Sequence, residues 1–154
     1  MVIELEDKTS AKGYLNPSRL GQSESYDLLT TEGEHIEIAH DQVRAVYFVR
    51  SLEADFEPER RQFLSRPKLE GLWVKLRFRD DETLEGVISN DLLAFLDKGL
   101  HLTPPDFNAN ADRIYVPRNA LAELTVLGVV GIARRKPAAA AAALLANQPR
   151  LFTE

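Results

Sequence analysis

Three histidines, His35, His40 and His101, are the residues of this chain best suited by type to hold a metal or relay a proton. His35 and His40 flank a segment with strand periodicity. Their separation of five would put them on opposite faces if the strand ran through both, a poor geometry for shared ligation. Acid runs such as Asp80-Asp81-Glu82 could supply paired carboxylates, but they fall where a hairpin turn calls for polar residues, and turn chemistry accounts for them. No serine sits in a Gly-x-Ser-x-Gly elbow and no loop is rich in glycine, so acyl transfer and phosphate cradling have no motif. There is no cysteine, which rules out disulfides, thiol catalysis and Cys-based zinc sites. The expectation is a protein that is not an enzyme and carries no metal or cofactor.

What remains is electrostatic and apolar chemistry. The 154 residues carry 24 acids and 19 bases, a net charge of −5, unevenly spread: −4 over residues 1–50, −1 over 51–71, −3 over 72–128 and +3 over 129–154. Phosphate-backbone binding draws on clustered Lys and Arg, and an acidic body argues against it. Lys75, Arg77 and Arg79 alternate with apolar residues, so they share the outer face of one strand and span about 13 Å as a candidate anion stripe. Such a stripe is also what the wet side of an antiparallel sheet looks like. The predicted outcome is no RNA or DNA binding tighter than micromolar. The cluster Arg134-Arg135-Lys136 reads as a solvated linker.

The elements that must position these groups come from an internal repeat. Leu5 to Leu15 lies against Phe78 to Ile88 at an offset of 73, both reading apolar, any residue, Asp, polar turn, then Gly and two apolar residues. Ile36, Ile38 and Val43 match Ile114, Val116 and Leu121 at an offset of 78. Each copy reads as five short antiparallel strands. Period-two alternation places them at Val2–Glu6, Ser10–Leu15, Tyr26–Thr30, Glu34–Ile38 and Val43–Val49, then Val74–Arg79, Thr83–Ile88, Gly99–Thr103, Arg113–Val116 and Ala120–Leu127. Gly13 and Gly86 interrupt the second strand of each copy and mark the bends by which a small sheet curls.

Five short strands, a bend glycine after an Asp-containing turn and a late apolar triplet resemble the Sm-like small β-barrel, here in tandem. In Ile114-Tyr115-Val116-Pro117-Arg118 and Ile36-Glu37-Ile38-Ala39-His40 the apolar frame of that family's second motif stands, with Pro117-Arg118 and Ala39-His40 where the family has Arg-Gly. The RNA-contacting Asp and Asn of its first motif are not matched; Asp91 comes five residues after Gly86. The resemblance implies a mainly β fold: two tandem five-stranded Sm-like or SH3-like open barrels at residues 1–50 and 72–130, a connector at 51–71 and an Ala-rich helical tail at 131–154. It also implies strand edges that pair between subunits. The stretch Arg66-Pro67 through Gly71-Leu72-Trp73-Val74, with Pro104-Pro105-Asp106 and Pro117-Arg118, resembles uncharacterised bacterial proteins and implies no activity.

Two further segments bear on partners. In the connector, Glu59–Leu64 could form a helical turn, and Phe56, Phe63 and Leu64 need packing partners. Its Arg60, Arg61 and Arg66 also raise a PilZ-type cyclic-dinucleotide barrel as an alternative, although separations of five and six are wider than that family's arginine pair. An RNA-binding Sm-like protein with atypical contacts is the other alternative. In the tail, Gln148 followed by Leu151 and Phe152 resembles the Gln-x-x-Leu-Phe peptide by which bacterial proteins insert two apolar anchors into the replication sliding clamp. Docking of Leu151 and Phe152 on the chain's own barrel or on a neighbouring copy is the competing reading. Met1 to Lys8 has no basic stretch leading into an apolar one, and the longest apolar run, Val126 to Ala133, is far short of the roughly 18 residues of a membrane span. The expectation is a cytoplasmic, non-catalytic binding or assembly module with a protein partner or self-association, no nucleic acid and no membrane.

Overall fold

The computed structural model describes residues 1–91, 93, 98–106 and 110–131. Among them there is no α-helix. Ten strands carry the fold: β1 Val2–Leu5, β2 Ser10–Tyr14, β3 Ser25–Thr30, β4 His35–Ala39, β5 Val43–Val49, β6 Gly71–Phe78, β7 Thr83–Ile88, β8 Gly99–Leu102, β9 Ala111–Pro117 and β10 Leu121–Val130. All pairings are antiparallel. One sheet has the order β4-β3-β2-β1-β5-β9-β8, the other β10-β6-β7.

The local geometry of residues 1–49 recurs in residues 71–130. In the first hairpin, Leu5 N–H donates to the Thr9 carbonyl and Lys8 N–H to that of Leu5; in the second, Phe78 and Asp81 do the same to Glu82 and Phe78. Asp7 Oδ1 accepts from the Thr9 amide and Asp80 Oδ1 from the Glu82 amide. Lys8 and Asp81, the equivalent turn residues, both lie in the left-handed region, at φ 71° and 70°. The ladders agree as well. Val2, Ile3 and Glu4 face Lys12, Ala11 and Ser10, and Lys75, Leu76 and Arg77 face Glu85, Leu84 and Thr83. Glu4 faces Ala45 as Arg77 faces Glu123, and a register shift follows each pair. Short 3-10 turns, His40–Gln42 and Arg118–Ala120, lead into β5 and β10.

The strands do not close into two separate barrels. β7 meets β8 through one bridge, Val87 to Thr103. Further along β7, the Glu85 amide is taken by the Arg61 carbonyl of the connector, so that stretch of edge is occupied. β5 pairs instead with β9, tying the two halves into one seven-stranded sheet. That placement buries β5 on both faces. Val46 and Ile3 enter a core with Tyr26, Leu28 and Ile38, into which Tyr115 of β9 also reaches. Val2, Ala45 and Tyr47 face the other way, into a core with Val74, Leu76, Phe78, Leu102 and Ile114. Each half therefore lends side chains to the core of the other.

Gly13 and Gly86 are required by close approach. A Cβ on Gly13 would run into the Leu29 carbonyl of β3, and one on Gly86 into the Leu102 side chain beneath it. The connector forms no helical turn at Glu59–Leu64; it runs irregularly, spending its polar groups on the sheet, with Arg61 Nε donating to the Thr83 carbonyl and the Phe63 amide to Glu85. Phe56 packs on Tyr47 with ring centroids 4.8 Å apart, and Phe63 meets Trp73 edge-on, whereas Leu64 stays exposed. The Ala-rich helical tail, with Gln148, Leu151 and Phe152, lies outside the described residues.

Candidate functional site

The chemistry of the fold concentrates where its halves join. Arg44 interrupts the apolar run of β5, and its side chain is 5% exposed against 4% for Glu4, to which its Nη1 donates at 2.7 Å. The second nitrogen lies 3.3 Å from Asp80 and 3.1 Å from Glu82, in the turn after β6. The guanidinium sits over the Phe78 ring, 4.2 Å from its centroid. Lys8, in the matching turn of the first half, reaches the same two acids. The two turns are thus clasped by two cations shared among three carboxylates.

These neighbours set the proton affinities. Burial alone would raise Asp80, but the Glu82 amide, the Lys8 ammonium and Arg44 hold it far below the ordinary carboxylate range. The Glu82 carboxylate raises Lys8 above its usual value. Burial, together with Glu4, pushes the Tyr47 hydroxyl up, so it keeps the proton it donates to Glu4 at 3.3 Å. All of these keep the ordinary charge states at neutral pH. The cluster is equipped to hold two pieces of backbone together, not to move protons.

At the other end of the joint, Asn110 clamps the chain as it leaves β5. Its Oδ1 accepts from the Ser51 amide at 2.8 Å, and its Nδ2 donates to the carbonyls of Ser51 and Asp55. Between the clasp and the clamp runs the β5–β9 ladder, Val46 to Tyr115, Tyr47 to Ile114 and Phe48 to Arg113. Arg113 lies over the Phe48 ring at 4.0 Å.

Of the four strands at sheet ends, β7 and β8 come together at the Val87–Thr103 bridge, which leaves β4 and β10. Among the described residues, no strand pairs with the outer edge of either. Each end carries exposed apolar side chains. Ile36 is exposed on β4, Leu29 on β3 and Tyr14 on β2, and Val126, Leu127 and Val129 on β10. A groove lined by Leu100, Arg118, Leu121, Leu124 and Val126 runs along β10. Exposed edge strands with apolar side chains are the surfaces on which another strand adds.

The residues singled out by type are scattered. Lys75 and Arg77 share the outer face of β6, but Arg79 lies beyond the strand, where the turn with Asp81 at positive φ begins. Arg77 is 3.1 Å from Asp81 and 3.9 Å from Glu123, and Lys75 faces Glu85 across the ladder, so acids interleave the stripe. His35 is exposed beside Asp27 at 3.1 Å. His40 lies past the end of β4 in a 3-10 turn, with Nδ1 2.6 Å from the Tyr26 hydroxyl, and His101 lies tilted against the Tyr115 and Phe48 rings. Among the described residues, no three His, Cys, Asp or Glu side chains are grouped as metal ligands. No helix among them is long and apolar enough to cross a membrane. Sequence reasoning passed over Arg44, although a lone cation inside Val43–Val49 was the available signal.

No curated protein matches the chain, and no solved structure does. One family model matches residues 1–128, which span the strands of both halves up to β10 and include the clasp and the clamp. The chain belongs to that family, a family of unknown function designated DUF6982.

Proposed function

We propose that this chain is a non-catalytic assembly module that binds protein through its strand edges, built from two copies of a small Sm-like open barrel. The matching turn hydrogen bonds, registers and 3-10 turns of residues 1–49 and 71–130 support the duplication. The observation that carries the function is the β5–β9 ladder: one copy already recognises the other by adding strand to strand, and the same two kinds of edge are left open at β4 and β10. Main-chain hydrogen bonds supply affinity in such a contact, and the alternating side chains supply selectivity. The interleaved acids around Lys75 and Arg77 favour a protein partner over a polyanion. A cytoplasmic location belongs to the same reading.

Sedimentation or light scattering across a concentration series tests it, with purified candidate partners added where the chain alone gives one species. The expected result is a mass that rises with concentration. A monomer at every concentration that also takes up no partner would remove the reading.

A further inference from the structure

The connector carries a surface of a different kind, away from the strand edges. Residues 60 and 62–69, with Pro105, line a groove of about 370 Å³, at the small end of the roughly 300–1,000 Å³ of ligand sites. Three cations, Arg60, Arg66 and Lys68, share the lining with apolar Leu64, Leu69 and Pro105, and no carboxylate does. In a chain of net charge −5 this patch is uncompensated. Among the described residues, no acid forms an ion pair with any of the three. The acids at either end of the stretch, Glu59 and Glu70, stay out of the lining. Beyond Gly131, which lies against Glu70, the sequence runs on into Arg134, Arg135 and Lys136.

The sheet holds the groove in shape. On the β7 side, the Arg61 carbonyl accepts from the Glu85 amide and the Phe63 amide donates to the Glu85 carboxylate; on the β10 side, Arg66 donates to the Val129 carbonyl. Arg61 turns inward to the Thr83 carbonyl, and Phe63 sets its ring edge-on against Trp73. A ligand therefore meets Arg60, Lys68, the remaining donors of Arg66, and Leu64, which is 81% exposed. Groups held in place in this way lose little freedom on binding.

We propose that this groove takes an acidic segment of a partner protein, with an apolar side chain seated against Leu64, Leu69 and Pro105 and the flanking carboxylates on Arg60, Arg66 and Lys68. Guanidinium forks match carboxylates in two-pronged hydrogen bonds, and the apolar lining selects for a side chain between them. A polynucleotide fits less well. Three cations in an acidic chain give a weak, salt-sensitive hold, and Phe63, the aromatic residue of the lining, is engaged with Trp73 rather than offered to a base. A lipid surface calls for several apolar groups that protrude together, and of the large apolar residues of 51–70 only Leu64 is exposed.

Fluorescence anisotropy on the full-length chain at about 150 mM salt tests the assignment. The probes are labelled peptides Ser-Asp-Glu-Leu-Glu-Asp-Ser and Ser-Asp-Glu-Phe-Glu-Asp-Ser, and the control carries Ser at the centre. At least one probe is expected to bind with Kd below about 1 mM, and the control about tenfold more weakly. Arg60→Glu, Lys68→Glu and Leu64→Ser, all at exposed positions, should melt like the parent and bind the probe about tenfold more weakly. Arg79→Glu, the same change of charge beyond the groove, should bind it like the parent. Neither probe bound at about 1 mM, equal binding of the control, or an equal loss in Arg79→Glu would overturn the proposal. So would a cyclic dinucleotide, a single-stranded oligonucleotide or phosphatidylglycerol vesicles that bind more tightly than the peptides and lose that binding in Arg60→Glu. The substituted groove positions lie on the connector, so the sedimentation result for the strand edges stands or falls separately.

Discussion

Replacing Arg44 by methionine isolates the clasp. Methionine keeps much of the length and the apolar contact with Phe78, but it leaves the Glu4 carboxylate, 4% exposed, without its partner at 2.7 Å. Removing one member of a buried pair costs about 3–5 kcal/mol, because the surviving charge stays desolvated. In a chain of this length each kcal/mol lowers Tm by about 2–4 °C, so Arg44→Met should melt about 6–20 °C below the parent. The double variant Arg44→Met/Glu4→Leu removes both charges. Asp80 and Glu82 keep Lys8 and are 35% and 39% exposed, so they do not need Arg44. The double variant should therefore recover to within about 2 kcal/mol of the parent. Trp73, the single tryptophan, reports on unfolding through its bond to Glu85 in urea titrations. A single variant costing less than about 1 kcal/mol, or a double variant no better than the single, would refute a desolvated pair.

Gly13→Ala should destabilise more than Gly86→Ala, since the added carbon meets the Leu29 backbone in one case and a movable Leu102 side chain in the other; about 1–3 kcal/mol is expected for Gly86→Ala, read by urea midpoint. Burial and Lys98 lower His40, and burial and Arg113 lower His101, so the unfolded state binds more protons at these sites. Their contribution is full above about pH 6.5 and declines as pH falls through the folded values; Asp80, also lowered, adds stability that is full above about pH 4 and is lost below it. Calorimetry should show Tm falling in two stages on acidification below about pH 6.5, and a Tm that rises between pH 7 and 5 would contradict this. Phe56→Ala removes the ring packed on Tyr47 at 4.8 Å and should cost about 1–3 kcal/mol, its side chain being only partly buried, with limited proteolysis of residues 51–70 accelerated.

The strands were legible because a half-buried antiparallel strand writes its geometry into the sequence. Val74, Leu76 and Phe78 alternate with Lys75 and Arg77, and the turn acids and Gly33 punctuate the runs. The likeness of the two hairpins was legible for the same reason: Asp7 and Asp80, and Gly13 and Gly86, answer to local demands of a turn and of a close approach by a neighbouring strand. The pairing of β5 with β9 left no such mark. Period two says that a residue is buried, not which strand covers it, and Val46 would read the same beside β9 or in a closed barrel. The connector was misread at Glu59–Leu64 because helix propensity is a weak prior, and hydrogen bonds to Thr83 and Glu85 hold the chain in an irregular path. Phe56 and Phe63 found aromatic partners that only the tertiary fold brings near.

The connector between β5 and β6 also sets how firmly the joint between the halves stays shut. Because Asn110 and Phe56 anchor its start and Arg61 and Phe63 its later part, the second half is held beside the first. The internal ladder consequently closes at an effective concentration of order millimolar, the value for a short tether. The same strands on separate chains would meet only at the concentration of the protein itself. Dilution therefore does not open the internal joint, which rests on its tether as well as on the clasp, the clamp and the shared cores.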